Sequence, residues 1–63
     1  MLTKKEIEVL KLRKQGFLQT EIASKLKISQ PAVSNFYTNG LRKIKEAQEV
    51  LKLVKEVGVK IED

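Results

Sequence analysis

The sequence predicts an all-α fold: a helix-turn-helix core of three helices, the third continuing into or followed by a C-terminal helix. Three observations predict it. Lys, Leu and Glu dominate a chain of 63 residues that holds one Pro and three Gly, a composition of good helix formers. Apolar residues recur at helical spacing through most of its length. The stretch Gln19 to Tyr37, QTEIASKLKISQPAVSNFY, reads as two short helices around a tight turn, the second with a polar outer face. In that layout one helix braces and the next lies in the major groove of DNA.

Helix 1 is expected from Lys4 to about Gln15. Thr3 and Glu6 fit a capping box, in which the hydroxyl takes a backbone N–H and the carboxylate reaches back to the cap. Gly16 fits the left-handed residue that ends it. Leu2, Ile7, Val9, Leu10 and Leu12 spread over well over half the helix circumference, so helix 1 is expected to pack on more than one side. Helix 2 is expected from Gln19 to Leu26, with Ile22, Ala23 and Leu26 inward. Leu18 stands where Ser, Thr or Asp would serve as N-cap, forgoing about 1 kcal/mol. Ala23 is small enough for close helix crossing. Lys27 and Ile28 form the turn, Lys27 where Gly is often preferred, Ile28 plugging the core. Ser29 caps helix 3, and Pro31 suits its first turn. Val33, Phe36, Gly40, Leu41 and Ile44 line the inner face. Gly40 either bends or breaks the helix or allows close packing on helix 1. Leu41, Ile44, Ala47, Leu51 and Val54 approach a heptad seam over less than two heptads. The tail, Val57 to Asp63, alternates Val57, Val59 and Ile61, and suits a short strand or a frayed end. Residues 1–45 form the expected core and 46–63 the C-terminal helix and tail.

Composition narrows the function. A chain this short is one domain, whose core rarely supplies more than about 3–5 kcal/mol. It has no Cys and no His, so neither a disulfide nor an ordinary zinc site is expected. With no His, Cys, Gly-rich phosphate loop or carboxylate pair in an apolar setting, an enzyme is not expected, nor any cofactor. No apolar run approaches the roughly 20 residues of a membrane span, and no apolar stretch follows the N-terminal charges, so the expected location is the cytoplasm. The net charge of +5 is uneven: residues 1–45 carry +7 and residues 46–63 carry −2. A basic front suits a polyanion.

The candidate base-reading residues are Gln30, Pro31, Ser34, Asn35 and Thr38, at helical spacing on the outer face of helix 3. Asn and Gln can pair with adenine N6 and N7, Ser and Thr serve several bases, and Pro31 or Ala32 can touch a thymine methyl. A merely solvated face would favour Glu and Lys, whereas this one has amides and hydroxyls and no charge. Without Arg or Lys it points to A/T-leaning contacts. The phosphate candidates are Gln19, Thr20, Lys25, Lys27, Ser29, Tyr37, Arg42 and Lys43, with Gln19 and Thr20 at a helix N-terminus. Val50, Leu51, Leu53, Val54 and Val57 offer more apolar surface than helix 1 alone can cover and form the candidate dimer interface. A homodimer would suit a palindromic site with half-sites roughly 34 Å apart. The expected partners are therefore double-stranded DNA and a second copy, with no membrane. The alternative is a protein-interaction module of the same fold that acts on RNA polymerase or another protein without reading DNA.

Leu2-Thr3-x-x-Glu6-x-Glu8-Val9-Leu10-x-Leu12, then Gly16, Glu21-Ile22-Ala23, Leu26-x-Ile28-Ser29 and Val33 together resemble the LuxR-type and sigma-factor region-four class of helix-turn-helix domains. Gly40-Leu41-Arg42-Lys43-Ile44 looks like the continuation seen in sigma region four. In more detail the chain resembles the Tfx family of archaeal DNA-binding regulators. There the same opening, a Gln at the place of Gln19, the Val33-Ser34 pair and an Ile-x-x-Ala like Ile44 to Ala47 recur. The resemblance implies that Gln30, Pro31, Ser34 and Asn35 face base edges. Three departures stand out: Leu18 for a Ser or Thr cap, Lys27 for the turn Gly, and one further helix with no effector or receiver domain, so that control by a ligand or by phosphorylation is not expected.

Overall fold

The computed structural model describes residues 1–58. They form three helices, α1 Lys4–Lys14, α2 Gln19–Leu26 and α3 Gln30–Val57, with no strand among the described residues. Val57 ends α3, and the strand-or-frayed reading of the tail otherwise lies at 59–63, outside the described residues.

Each helix start has a local cause. At α1 the Thr3 hydroxyl accepts the Glu6 N–H at 3.2 Å, and Glu6 Oε1 accepts the Thr3 N–H at 2.8 Å. Both halves of the capping box are formed. At α2 only the second half exists: Glu21 Oε1 accepts the Leu18 N–H at 2.8 Å, while the Leu18 side chain has nothing to offer in return. At α3 the Ser29 hydroxyl accepts the Ala32 N–H at 3.2 Å. Leu18 already has extended cap geometry and is 59% exposed. Leu18→Ser should therefore supply the missing acceptor at little cost in burial and raise unfolding stability by about 1 kcal/mol, measurable as a higher urea midpoint at unchanged slope.

The two turns are built alike. After α1 the N–H of Gly16 donates to the Arg13 carbonyl and that of Phe17 to the Leu12 carbonyl; after α2 those of Lys27 and Ile28 donate to Ser24 and Ala23. This double bond pattern needs a left-handed residue at its centre. Gly16 supplies it at φ 99° and Lys27 at φ 56°, so Lys27 carries the steric cost that its side chain implies.

One fully buried residue comes from each helix: Val9, Ile22 and Val33. Ala23 completes the buried centre, and Leu12, Phe17, Leu26, Ile28, Phe36 and Tyr37 pack around it. α1 touches both other helices. Its apolar set is graded, with Leu2, Leu10 and Leu12 half-buried and Ile7 38% exposed. Leu41, expected to face inward, is 45% exposed, because it borders an open groove beside α1.

Gly40 does not break α3. The helix is continuous for 28 residues, about 42 Å at 1.5 Å per residue, and spans nearly the whole 45 Å length of the molecule. Gly40 is instead the point of closest approach: a Cβ there would lie 3.0 Å from Leu10 Cδ1 and 3.7 Å from Glu6 Cβ. Leu2 lies by Ile44 and Ala47, Glu6 by Lys43 and Leu10 by Gly40. α1 thus runs antiparallel to the middle of α3, and α2 packs against α3 through the buried cluster of Ile22, Ala23 and Val33. The expected boundary at 45/46 falls inside this single helix.

Candidate nucleic-acid interface

The N-terminal turns of α3 stand clear of the other helices on one side. Gln30, Pro31, Asn35 and Thr38 are exposed and Ser34 is half-buried. None of the side-chain hydrogen bonds among the described residues engages Gln30, Ser34, Asn35 or Thr38. The strip therefore presents amide and hydroxyl groups with their donors and acceptors uncommitted, on an element held from behind by Val33 and Phe36. Such a surface can complement base edges, which display donors and acceptors in fixed patterns. It holds no group suited to charge or proton chemistry.

The phosphate candidates divide by what else they do. Gln19 (half-buried) and Thr20 (exposed) lie in the first turn of α2, where unsatisfied N–H groups favour an anion. Lys27 is exposed in the left-handed turn beside Ser29, whose hydroxyl oxygen already serves as the α3 cap. The Lys25 amine lies 4.6 Å from the centre of the Phe17 ring, an exposed cation–π contact worth about 0.5–1 kcal/mol. Arg42 pairs with Glu46 at 2.9 Å, both side chains more than half exposed, a surface bond weak enough to be exchanged for a phosphate. Tyr37 is half-buried against the core.

Lys43 is where sequence and structure part. Its amine donates to Glu6 Oε1 at 2.9 Å and to the Met1 carbonyl at 3.3 Å, and its side chain is 27% exposed against 4% for Glu6. Its charge is neutralised inside the protein, so it drops out of the cations facing solvent. Glu6 has two tasks: one oxygen closes the α1 cap and holds α3. The capping motif gives away the first task. The second joins residues 37 apart and leaves no local pattern.

The Thr3 backbone N–H, and next to it the Lys43 amine, hold the Glu6 carboxyl below its usual value of 4.5. The folded state thus favours the ionised form. Its contribution to stability is complete above the unfolded carboxylate range and is lost as pH falls through the lower folded value. Wild type should lose urea resistance as pH falls below about 5, through and beneath the ordinary carboxylate range. Glu6→Gln should start lower at pH 7 and change less over that window.

Beyond Ala47 most apolar side chains of the helix stay exposed among the described residues. Val50, Leu51, Leu53 and Val57 are 60%, 52%, 55% and 60% exposed, and Val54 is half-buried. Met1, Leu2, Ile44 and Ala47 border an apolar hollow of about 230 Å³ at the start of this stretch. No helix among the described residues is long and apolar enough to cross a membrane, and no group of three or more His, Cys, Asp or Glu among them could hold a metal.

Residues 1–54 match the family described as bacterial regulatory proteins, luxR family. The chain belongs to this family. A protein of Pyrococcus horikoshii named "Putative transcriptional regulatory protein" is 38% identical over 60 residues, covering 95% of this chain and 42% of its own length. A like-named protein of Thermococcus kodakarensis is 40% identical over 60 residues, covering 95% of this chain and 40% of its own. The chain thus spans about two fifths of the length of the curated relatives it matches. No solved structure matches it at the same stringency.

Proposed function

We propose that this LuxR-type chain is a transcription regulator that binds double-stranded DNA sequence-specifically in the cytoplasm, as a homodimer. The single observation that carries the reading is the exposed, uncharged strip Gln30, Pro31, Ser34, Asn35 and Thr38 on the N-terminal turns of α3, with its polar groups uncommitted. Gln19, Thr20, Lys25, Lys27, Ser29, Tyr37 and Arg42 flank it as phosphate contacts; Lys43 serves the fold through Glu6. The relatives' names support a regulatory role. The exposed Val50, Leu51, Leu53 and Val57, with Val54, support self-association.

Selection from random duplexes tests the reading. A recovered site should be rich in A/T, and binding to it should weaken with salt. For about six neutralised phosphates log K falls against log[salt] with a slope near −5. Sedimentation should report a dimer, and Leu51→Glu should weaken it by at least about tenfold, since an uncompensated charge in an apolar contact costs more than about 1.4 kcal/mol. No enrichment of any site, with a slope near zero, sinks the DNA reading and leaves the adaptor for RNA polymerase in its place.

A further inference from the structure

Two cations outside every site discussed so far stand beside the recognition strip. Arg13 and Lys14 close the last turn of α1 and, with Leu10, Tyr37 and Leu41, line an open groove of about 350 Å³ between α1 and α3. Both cations are exposed. Arg13 is held in place: one guanidinium nitrogen donates to the Phe17 carbonyl at 3.1 Å, leaving the rest of its fork unused. A favourable interaction with the α1 dipole accounts for cations at this helix end, but not for their facing a groove floored by Leu10 and an exposed Leu41.

The position of the groove supplies the reason. At about 100° per residue, Tyr37 and Leu41 lie roughly 50–90° around α3 from the centre of the Gln30–Thr38 strip. A helix seated in a major groove about 12 Å wide has a sugar–phosphate strand on each flank. The flank on the α1 side is the one bordered by Arg13, Lys14 and Tyr37. The chemistry matches in detail: two cations and a hydroxyl for a phosphodiester, and two leucines for the apolar face of a deoxyribose.

We propose that this groove is a DNA-backbone site in which Arg13 and Lys14 neutralise phosphates of one strand while α3 reads the bases. It rests on the DNA-binding reading above and adds α1 to the interface. Contacts of this kind position the protein and carry no sequence information. They fix how deeply α3 sits.

The test compares wild type with Arg13→Gln/Lys14→Gln on the selected duplex and on a scrambled duplex, across a salt series. Loss of two phosphate contacts should reduce the slope of log K against log[salt] by about 2 and weaken binding about 30-fold at 0.15 M salt, equally for both duplexes. Lys14→Gln alone leaves the Arg13–Phe17 bond intact and should reduce the slope by about 1 with unchanged unfolding stability. Tyr37→Phe, which removes a hydroxyl but no charge, should weaken binding without moving the slope. An unchanged slope in the double and the single variant overturns the site. So does a loss confined to the selected duplex, since that would place these residues in base reading. A wild type that binds neither duplex fails at the earlier step, and is thereby distinguished from a wild type that binds while the variants keep its slope.

Discussion

Asn35→Ala and Gln30→Ala are each expected to cost about 1–3 kcal/mol of discrimination, or about 5- to 150-fold, at the one base pair each side chain reads. The loss should appear as relaxed preference at that position and not as general weakening. Both side chains are exposed and uncommitted, so their removal leaves no buried group unpaired and should leave folding stability nearly unchanged. The triple variant Gln30→Ala/Ser34→Ala/Asn35→Ala should bring affinity for the selected site down to that for scrambled DNA, because the remaining contacts are to phosphates and are blind to sequence. The salt slope should survive, since none of the three carries charge. Competition binding against scrambled duplex at fixed salt measures the ratio directly. A triple variant that retains the wild-type ratio would mean that sequence is read elsewhere, or through DNA shape.

The local architecture that exposes the strip was legible in the residues because it rests on local rules. The caps at Thr3 and Ser29, the left-handed Gly16, the turn at Lys27 and the bounds of α2 all follow from side chains within four residues of the feature they explain. What could not be read depends on contacts far along the chain. Whether Gly40 breaks α3 or lets it pass close to α1 depends on Leu10, 30 positions away; the close approach at 3.0 Å decides it. Lys43 has the spacing of an outward cation and is drawn in by Glu6. Leu41 continues an apolar pattern but faces a flank that α1 leaves open. Arg13 and Lys14 carry no local signal, because an end-of-helix cation has an ordinary explanation; only the antiparallel lie of α1 on α3 brings them beside Tyr37. The bounds of α1 and α2 and the start of α3 were therefore readable almost to the residue. The partners of charged side chains were not.

Ile22→Ala is expected to unfold the domain at room temperature. Truncating a fully buried isoleucine costs about 2–5 kcal/mol when the surroundings cannot close over the cavity, and a core of this size supplies only about 3–5 kcal/mol in total. The surroundings here are poorly able to close. The fully buried set is one residue from each helix, Val9, Ile22 and Val33, so a void at Ile22 is shared by all three elements and cannot be filled by one helix shifting alone. α2 suffers first: its eight residues are too few to hold a helix in isolation, and Ile22 with Ala23 is its buried anchor. Once α2 is lost, the turn that sets the start of α3 is lost with it, and the Gln30–Thr38 strip no longer projects from a fixed body. Far-ultraviolet dichroism should show a large fall in helix content, and duplex binding should vanish at both selected and scrambled sites, unlike the strip variants, which keep the second. Gly40→Val should be milder, about 1–3 kcal/mol for overpacking, because Leu10 is only half-buried and its side chain can swing aside. A folded, DNA-binding Ile22→Ala would require that self-association along the exposed face of α3, and not the three-helix core, holds the chain together. In that case its stability would rise steeply with protein concentration, and Leu51→Glu would be the more damaging change.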